Sequence, residues 1–291
     1  MARLAAAALA VAACGRTPAP PADGARTGWI TVPNRLRIFY EIQGQGDTLI
    51  LIHGGFVDRR MWDEQADELA RSYTVIRYDL RGFGRSDLPT KPYHAVNDLL
   101  ALYDALGIGS ASLIGLSMGG GVALSFTLAY PERVDALVLA ASPANGLPVQ
   151  QEDIDRIMAL FEAGNTGGAD SAVALWLRHP MLAALMEKPE LASRMEFLAR
   201  ENARFFTLPF WPFESEEPPA SERLGEIRVP TLVIWGDRDT ETVQQNSAAT
   251  AERIPGARTG VLRGAGHMVN MERPHEFLRA VRALLEEVPD A

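Results

Sequence analysis

The sequence predicts an α/β fold, with a mostly parallel, doubly wound sheet and a helical cap inserted between two of its strands. Short apolar runs typical of buried strands alternate with helical patterns along most of the chain. This alternation indicates crossover helices that pack on a parallel sheet. From about residue 144 to residue 228 the helical periodicity continues without a clear strand, which predicts the cap.

The predicted elements follow in chain order. Residues 36–42 alternate between apolar and polar side chains, as in an edge strand. The later apolar runs predict five buried strands, at 48–52, 74–78, 112–115, 136–140 and 231–235. Core helices are predicted at 60–71, 95–106, 119–129, 243–254 and 274–287, the last with Pro274 in its first turn. Cap helices are predicted at 154–161, 172–177 and 191–206.

Length and charge limit the class of protein. A chain of 291 residues, 47% hydrophobic and 22% charged, can bury one large core. We therefore expect a leader at 1–24, a core at 25–143 and 229–291, and the cap at 144–228. The net charge of −9 provides no broad positive surface for phosphates, so nucleic acid is not an expected partner.

The N-terminus has the pattern of an export signal. A short basic start precedes ten apolar residues at 4–13, which are too few to span a bilayer but suit a secretory signal. The stretch Val11-Ala12-Ala13-Cys14 resembles the lipobox of bacterial lipoproteins, which implies a lipidated Cys14 and a Pro-rich tether at 17–22. We expect a bacterial cell-envelope lipoprotein. A plain cleaved leader of a periplasmic or secreted protein and an incidental cysteine remain the alternatives.

One motif predicts a nucleophile. Gly115-Leu116-Ser117-Met118-Gly119 is a G-x-S-x-G sequence between a predicted strand and a predicted helix. That setting holds a serine on a strained turn and exposes its hydroxyl group. The flanking glycines avoid crowding in the tight turn. Ser117 is therefore the candidate nucleophile.

A serine needs a base, and the chain has five histidines. His267 lies in a loop between a predicted strand and the last helix, which suits a base at the carboxyl edge of the sheet. His275 lies within the last helix, His94 at a helix start and His179 in the cap, so these three are less suitable. His53 is predicted to support the loop that follows it.

An acid should orient the base. The chain order serine, acid, histidine places it between residues 117 and 267. Trp235-Gly236-Asp237-Arg238-Asp239 follows a buried strand, whereas residues 140–145 contain no acid. From the residues alone, Asp239 and Asp237 both remain candidates.

Together these motifs resemble the capped α/β-hydrolase superfamily, in particular its esterase, haloperoxidase and C–C hydrolase group. The resemblance covers about residues 30–287 and rests on His53-Gly54-Gly55, the segment 78–86, the Ser117 turn, Gly236-Asp237-Arg238-Asp239 and Gly266-His267. It implies the α/β-hydrolase fold, Asp239 as the acid, and an oxyanion hole of backbone N–H groups. Those groups belong to Met118 and to Gly55, with Phe56 as the alternative to Gly55.

The resemblance implies a serine hydrolase that cleaves an ester-type bond of a small apolar molecule through an acyl-serine. Lactone hydrolysis, C–C cleavage and cofactor-free perhydrolysis would use the same residues, and a non-catalytic ligand-binding protein is the alternative from another class. No cofactor or metal is expected, because the chain has no phosphate loop and no metal-ligand spacing. The cap ends in an aromatic run at 205–213, which would form either the packing core of the cap or part of an apolar substrate pocket. The substrate pocket is predicted to include Phe56, Phe206 and Trp211. Substrate identity and oligomeric state are not predicted.

Overall fold

A computed structural model of the chain describes residues 24–209, 211–214 and 216–288. The predicted leader, its lipobox and Cys14 lie outside the described residues, as does Phe210 within the aromatic run. No helix in the described part is long and apolar enough to cross a membrane.

The core is an eight-stranded sheet with the order β1-β2-β4-β3-β5-β6-β7-β8. The pairings β1–β2 and β2–β4 are antiparallel, and all other pairings are parallel. This confirms the predicted mostly parallel α/β sheet. The strands are β1 Arg26–Val32, β2 Leu36–Gln43, β3 Thr48–Ile52, β4 Thr74–Tyr78, β5 Ala111–Leu116, β6 Val134–Ala140, β7 Thr231–Gly236 and β8 Arg258–Leu262.

The strand predicted at 36–42 is present as β2, but it is not the edge strand. Strand β1, which the periodicity did not indicate, pairs with it along its whole length and forms the edge. Much of β2 is only half-buried, as residues of an edge strand often are. Periodicity reports which face of a strand is covered, and it does not report how many strands lie beside it.

Helices cover both faces of the sheet. The helix at 95–106 and the strands at 48–52 and 74–78 have their predicted bounds. Short 3-10 helices lie at Pro33–Arg35, Arg59–Trp62, Pro131–Arg133, Pro180–Leu182, Ala203–Thr207 and Leu224–Glu226. The helices are α1 Asp63–Leu69, α2 Ala95–Leu106, α3 Met118–Ala129, α4 Gln151–Gly167, α5 Ala169–Trp176, α6 Ala183–Met186, α7 Pro189–Asn202, α8 Ala220–Arg223, α9 Glu241–Arg253, α10 Val269–Glu272 and α11 Pro274–Leu285.

Helix α3 packs unusually close to the centre of the sheet. A Cβ atom on Gly119 would lie only 2.2 Å from the carbonyl oxygen of Ile52 in β3. A side chain there would force the helix away from the strand, so glycine permits the close packing. Ser117 precedes this helix and is held at the carboxyl end of the sheet.

The helices between β6 and β7 cover that same end. Asn202, at the end of α7, is buried and receives a hydrogen bond from the Gly84 N–H at 2.6 Å. Its side-chain amide donates to Asp58 at 2.9 Å. The Phe205 ring stacks on Phe83 with 4.3 Å between centroids. These contacts anchor the helical segment to the loops that follow β3 and β4.

Candidate active site

Ser117 occupies the sharp turn between β5 and α3. Its φ of 52° and ψ of −118° lie outside the conformations that a serine ordinarily adopts. Its N–H donates to the Ala140 carbonyl at 2.8 Å, and its carbonyl accepts from the Gly121 N–H at 3.0 Å. These hydrogen bonds hold the turn in its strained form, which matches the setting predicted for a nucleophile.

The structure pairs His267 with Asp239. The Nδ1 atom of His267 lies 2.7 Å from an oxygen of Asp239, and both side chains are almost completely buried. A carboxylate can only accept, so Nδ1 carries the proton and Nε2 is left for proton exchange. The alternative acid, Asp237, accepts instead from the Gly264 N–H at 2.6 Å.

The buried pair sets the basicity of His267. Burial of the imidazole lowers its pKa, whereas the charge of Asp239 and the hydrogen bond to it raise its pKa. The charge of Glu272 adds to them. The net effect is a His267 pKa above the ordinary imidazole value, so Asp239 stabilises the protonated form of the ring.

A second buried carboxylate, which the sequence reasoning missed, holds the His267 loop. Both oxygens of Glu272 accept backbone N–H groups that flank the histidine, from Gly266 at 2.9 Å and from Met268 at 3.1 Å. Burial raises the pKa of Glu272 against the lowering effect of these two hydrogen bonds. The only sequence signal was an acid five residues after the histidine, directly before the last helix.

The loop after β3 faces the nucleophile turn across a narrow gap. A Cβ atom on Gly55 would lie 3.5 Å from the terminal methyl carbon of Met118. His53 secures this loop from behind, because its Nδ1 donates to the Gly54 carbonyl at 2.7 Å and its Nε2 accepts from the Leu80 N–H at 2.9 Å. Burial lowers the pKa of His53, consistent with a neutral ring in a supporting position.

Two cavities meet at Ser117. The inner cavity, of about 120 Å³, has Ser117 and His267 in its wall and is otherwise almost entirely apolar. The three predicted pocket residues all line it, and Phe56 lies between Phe206 at 3.6 Å and Trp176 at 4.8 Å, ring centroid to centroid. The other lining residues are Gly54, Gly55, Leu116, Met118, Ile157, Leu160, Phe161, Met181, Phe205, Phe213 and Met268.

The outer cavity is larger, about 530 Å³, and also contains Ser117 and Met118 in its wall. Trp211 and Phe213 also line both cavities. Three glutamates line the outer cavity and none lines the inner one: Glu214, Glu216 and Glu217. Sequence patterns did not indicate this cavity, because its wall combines α2, α3 and the segment before α8.

None of the histidines at 94, 179 and 275 lines the inner cavity with Ser117 and His267. His275 is exposed on α11. His94 precedes α2, lines the outer cavity and pairs with Glu214 at 2.9 Å. His179 is buried beside Trp176, and burial together with the charge of His267 lowers its pKa to about 4. Within the described ranges, no cluster of three or more His, Cys, Asp or Glu side chains is arranged to hold a metal ion.

Comparison with known proteins identifies relatives over most of the chain. A family model described as "alpha/beta hydrolase fold" matches residues 47–274. A 2-hydroxy-6-oxononadienedioate/2-hydroxy-6-oxononatrienedioate hydrolase of Burkholderia vietnamiensis is 30% identical over 265 residues, which are 86% of this chain and 91% of the relative. The 3-oxoadipate enol-lactonase 2 of Acinetobacter baylyi is 29% identical over 253 residues, 85% of this chain and 92% of the relative.

Among solved structures, a thermophilic esterase from Thermogutta terrifontis superposes with a TM-score of 0.76 at 28% identity. The match covers 90% of this chain and 99% of the esterase. Relatives of the same fold thus cleave carbon–carbon, lactone and ester bonds, so the fold alone does not identify the bond.

Proposed function

The chain belongs to the α/β-hydrolase family and is a hydrolase, and we propose that it is a serine esterase acting on a small ester through an acyl-serine intermediate. One observation carries the proposal: Ser117, on its strained turn, and His267, held by Asp239, lie in the wall of the same small apolar cavity. Apolar pockets with a few convergent polar groups are typical of small-molecule sites.

The proposed reaction uses the residues in named roles. Nε2 of His267 takes the proton of the Ser117 hydroxyl, and the oxygen attacks the ester carbonyl carbon. Backbone N–H groups of Gly55 and Met118 stabilise the oxyanion of the tetrahedral intermediate. The protonated His267 then gives its proton to the leaving alcohol, and Asp239 stabilises the imidazolium meanwhile. A water molecule activated by His267 hydrolyses the acyl-serine and releases the acid.

The chemistry of the two cavity walls supports an ester over the substrates of several relatives. Those substrates are named as a dienedioate and an oxoadipate derivative, so they carry carboxylates. Binding a carboxylate in a partly buried pocket ordinarily requires an arginine, a lysine or several fixed donors. Among the described residues that line the two cavities there is no arginine and no lysine. An apolar ester needs no such partner.

The test combines turnover with labelling. We expect Ser117→Ala to lose at least about 10³-fold in kcat/KM on a short p-nitrophenyl ester while keeping the wild-type Tm. Ser193→Ala, at an exposed position on α7, is the matched control and should retain full activity. Retained turnover in Ser117→Ala contradicts the proposed nucleophile. Failure of a fluorophosphonate probe to label the wild type indicates a ligand-binding protein instead.

A substrate panel separates the possible bonds. Short esters and lactones present the same uncharged carbonyl, whereas 2-hydroxy-6-oxo-6-phenylhexa-2,4-dienoate, the substrate named for another relative, requires C–C cleavage next to a carboxylate-bearing chain. We expect kcat/KM to be highest for the esters. Faster turnover of the dienoate would assign the chain to C–C hydrolysis.

We also propose export with lipidation at Cys14. The basic start, the short apolar run and the lipobox-like sequence support this, and their residues lie outside the described ranges. Mass spectrometry of the mature N-terminus distinguishes the cases. An acylated Cys14 supports the lipoprotein, while cleavage elsewhere or an intact Met1 contradicts it.

A further inference from the structure

The two cavities divide an ester into a small part and a large part. Both contain Ser117 in their walls, so a carbonyl at this serine would extend one group into each cavity. An apolar cavity of about 150 Å³ holds one benzene molecule. The inner cavity, of about 120 Å³, therefore holds a short apolar group, while the outer cavity, of about 530 Å³, has room for a considerably larger one.

The outer cavity has an acidic wall. Glu214, Glu216 and Glu217 line it; Glu214 and Glu217 are exposed, Glu216 is half-buried, and each adds one formal negative charge. Its one basic side chain among the described lining residues is His94, which is paired with Glu214. The positive charge of Arg223 acts on Glu216 from outside the lining, and Arg223 itself forms an ion pair with Glu226 at 2.8 Å. The wall therefore keeps a net negative charge.

Aromatic rings accompany these carboxylates. Trp211 and Phe213 line the outer cavity, with their ring centroids 5.8 Å apart. Tyr93 also lines it, 5.7 Å from Phe213, but Tyr93 is buried and the Arg81 guanidinium already lies 4.5 Å from the centroid of its ring, so Tyr93 supports Phe213 and does not offer a free face. Aromatic faces attract alkylammonium groups, and do so more strongly where water is partly excluded. Carboxylates and aromatic rings in one wall are the combination that recognises an organic cation.

The wall is held in place by backbone hydrogen bonds to the core. The Tyr93 N–H donates to the Pro212 carbonyl at 2.9 Å, and the Glu214 N–H donates to the Tyr93 carbonyl at 3.1 Å. These bonds form a short parallel bridge between residues 93 and 213. The ring of Phe213 and the carboxylate of Glu214 are therefore attached to the rigid part of the molecule beside the nucleophile.

From this wall we infer the substrate class: an ester whose short apolar part enters the inner cavity and whose larger part, in the outer cavity, carries an alkylammonium group. The inference rests on the proposed esterase function. It also predicts that carboxylate-bearing esters are poor substrates, because the three glutamates repel the carboxylate of the substrate in this partly enclosed space.

The experiment uses two matched series of esters, so that either orientation of the substrate is covered. The first varies the alcohol: acetylcholine, its uncharged isostere 3,3-dimethylbutyl acetate, and the acetate ester of 4-hydroxybutyrate. The second varies the acyl group: the methyl esters of 4-trimethylammoniobutyrate and 5,5-dimethylhexanoate, and the monomethyl ester of glutarate, which keeps one free carboxylate. In the series that matches the orientation of the bound ester, we expect kcat/KM for the cationic ester to exceed that for the neutral isostere by roughly 3- to 10-fold at low salt. The anionic ester should have the lowest kcat/KM of the three. Added NaCl should reduce this ratio.

A charge-matched pair of variants tests the origin of the preference. The triple variant Glu214→Gln, Glu216→Gln, Glu217→Gln should bring the cation-to-neutral ratio of kcat/KM close to one. The control triple variant Glu132→Gln, Glu252→Gln, Glu276→Gln changes the net charge equally at exposed positions outside both cavities and should keep the wild-type ratio. A ratio that falls equally in both variants would mean that overall charge, and not this wall, attracts the cation, which overturns the inference.

The outcomes separate this inference from the function on which it rests. Turnover of the neutral esters with no preference for the cation, or with preference for the anion, overturns the substrate class and leaves the esterase function standing. No turnover of any ester overturns both.

Discussion

The contact between Glu272 and the His267 loop gives the sharpest prediction. Glu272→Gln keeps the size of the side chain but leaves one oxygen to accept two N–H groups. The amide NH2 group would then face a backbone N–H at Gly266 or Met268, a donor against a donor. Both hydrogen bonds are made by a side chain that is only 3% exposed, so water cannot readily replace the lost partner.

The expected magnitudes follow from that geometry. One buried N–H without a partner costs about 1–3 kcal/mol of the free energy of unfolding, which corresponds to a Tm lower by roughly 2–10 °C. The lost hydrogen bond should also let the loop shift and displace His267, which should lower kcat/KM on the order of 10- to 100-fold. The charge of Glu272 also raises the pKa of His267, and catalysis needs the neutral ring. The variant should therefore shift the acidic limb of the pH profile of kcat/KM to lower pH.

The assay is a pH profile of kcat/KM on a short p-nitrophenyl ester, with Tm measured in parallel. Glu276→Gln, at an exposed position in the first turn of α11, is the control; it should leave the acidic limb in place and lower Tm only slightly, through the loss of a charge near the helix N-terminus. A purely structural role would lower Tm and leave the acidic limb in place. Unchanged Tm together with an unchanged limb in Glu272→Gln would refute the reasoning altogether.

Three further predictions concern the site and its scaffold. Asp239→Asn should lower kcat/KM by about 10³- to 10⁴-fold. It should also move the acidic limb of the pH profile of kcat/KM to lower pH, because it removes the charge that raises the pKa of His267. An acidic limb at the wild-type pH would contradict this. Phe206→Ala should destabilise the fold by about 3–5 kcal/mol in denaturant titrations. It should also increase kcat/KM for a longer group in the inner cavity, measured either as hexanoate relative to acetate esters or as hexyl relative to methyl esters; no change in either ratio would show that Phe206 does not limit this cavity. Gly119→Ala should destabilise the fold by about 1–3 kcal/mol through overpacking. Gly121→Ala should be neutral or stabilising, because the atom nearest to its new Cβ is 3.7 Å away. Equal Tm values for the two variants would disprove the packing argument.

Much of the fold was predictable because its signals are local. Strands β3 and β7 are almost continuous apolar runs, and such runs are buried on both faces wherever they occur in a parallel sheet. Strand β1 was missed and β2 was wrongly placed at the edge, because strand order is decided by pairing between distant segments. The turn at Ser117 was identifiable because a strand, a glycine-flanked serine and a helix are adjacent in the chain.

The sequence by itself determined the α/β class, Ser117 on its turn, and His267 with two candidate acids, because motif spacing and periodicity reflect constraints between near neighbours in the chain. Only the tertiary structure decided that Asp239 faces His267 while Asp237 faces Gly264, since both acids lie on one short loop and differ in direction. The Glu272 contacts and the acidic outer cavity likewise became visible only after folding, because they join segments whose approach no local pattern records.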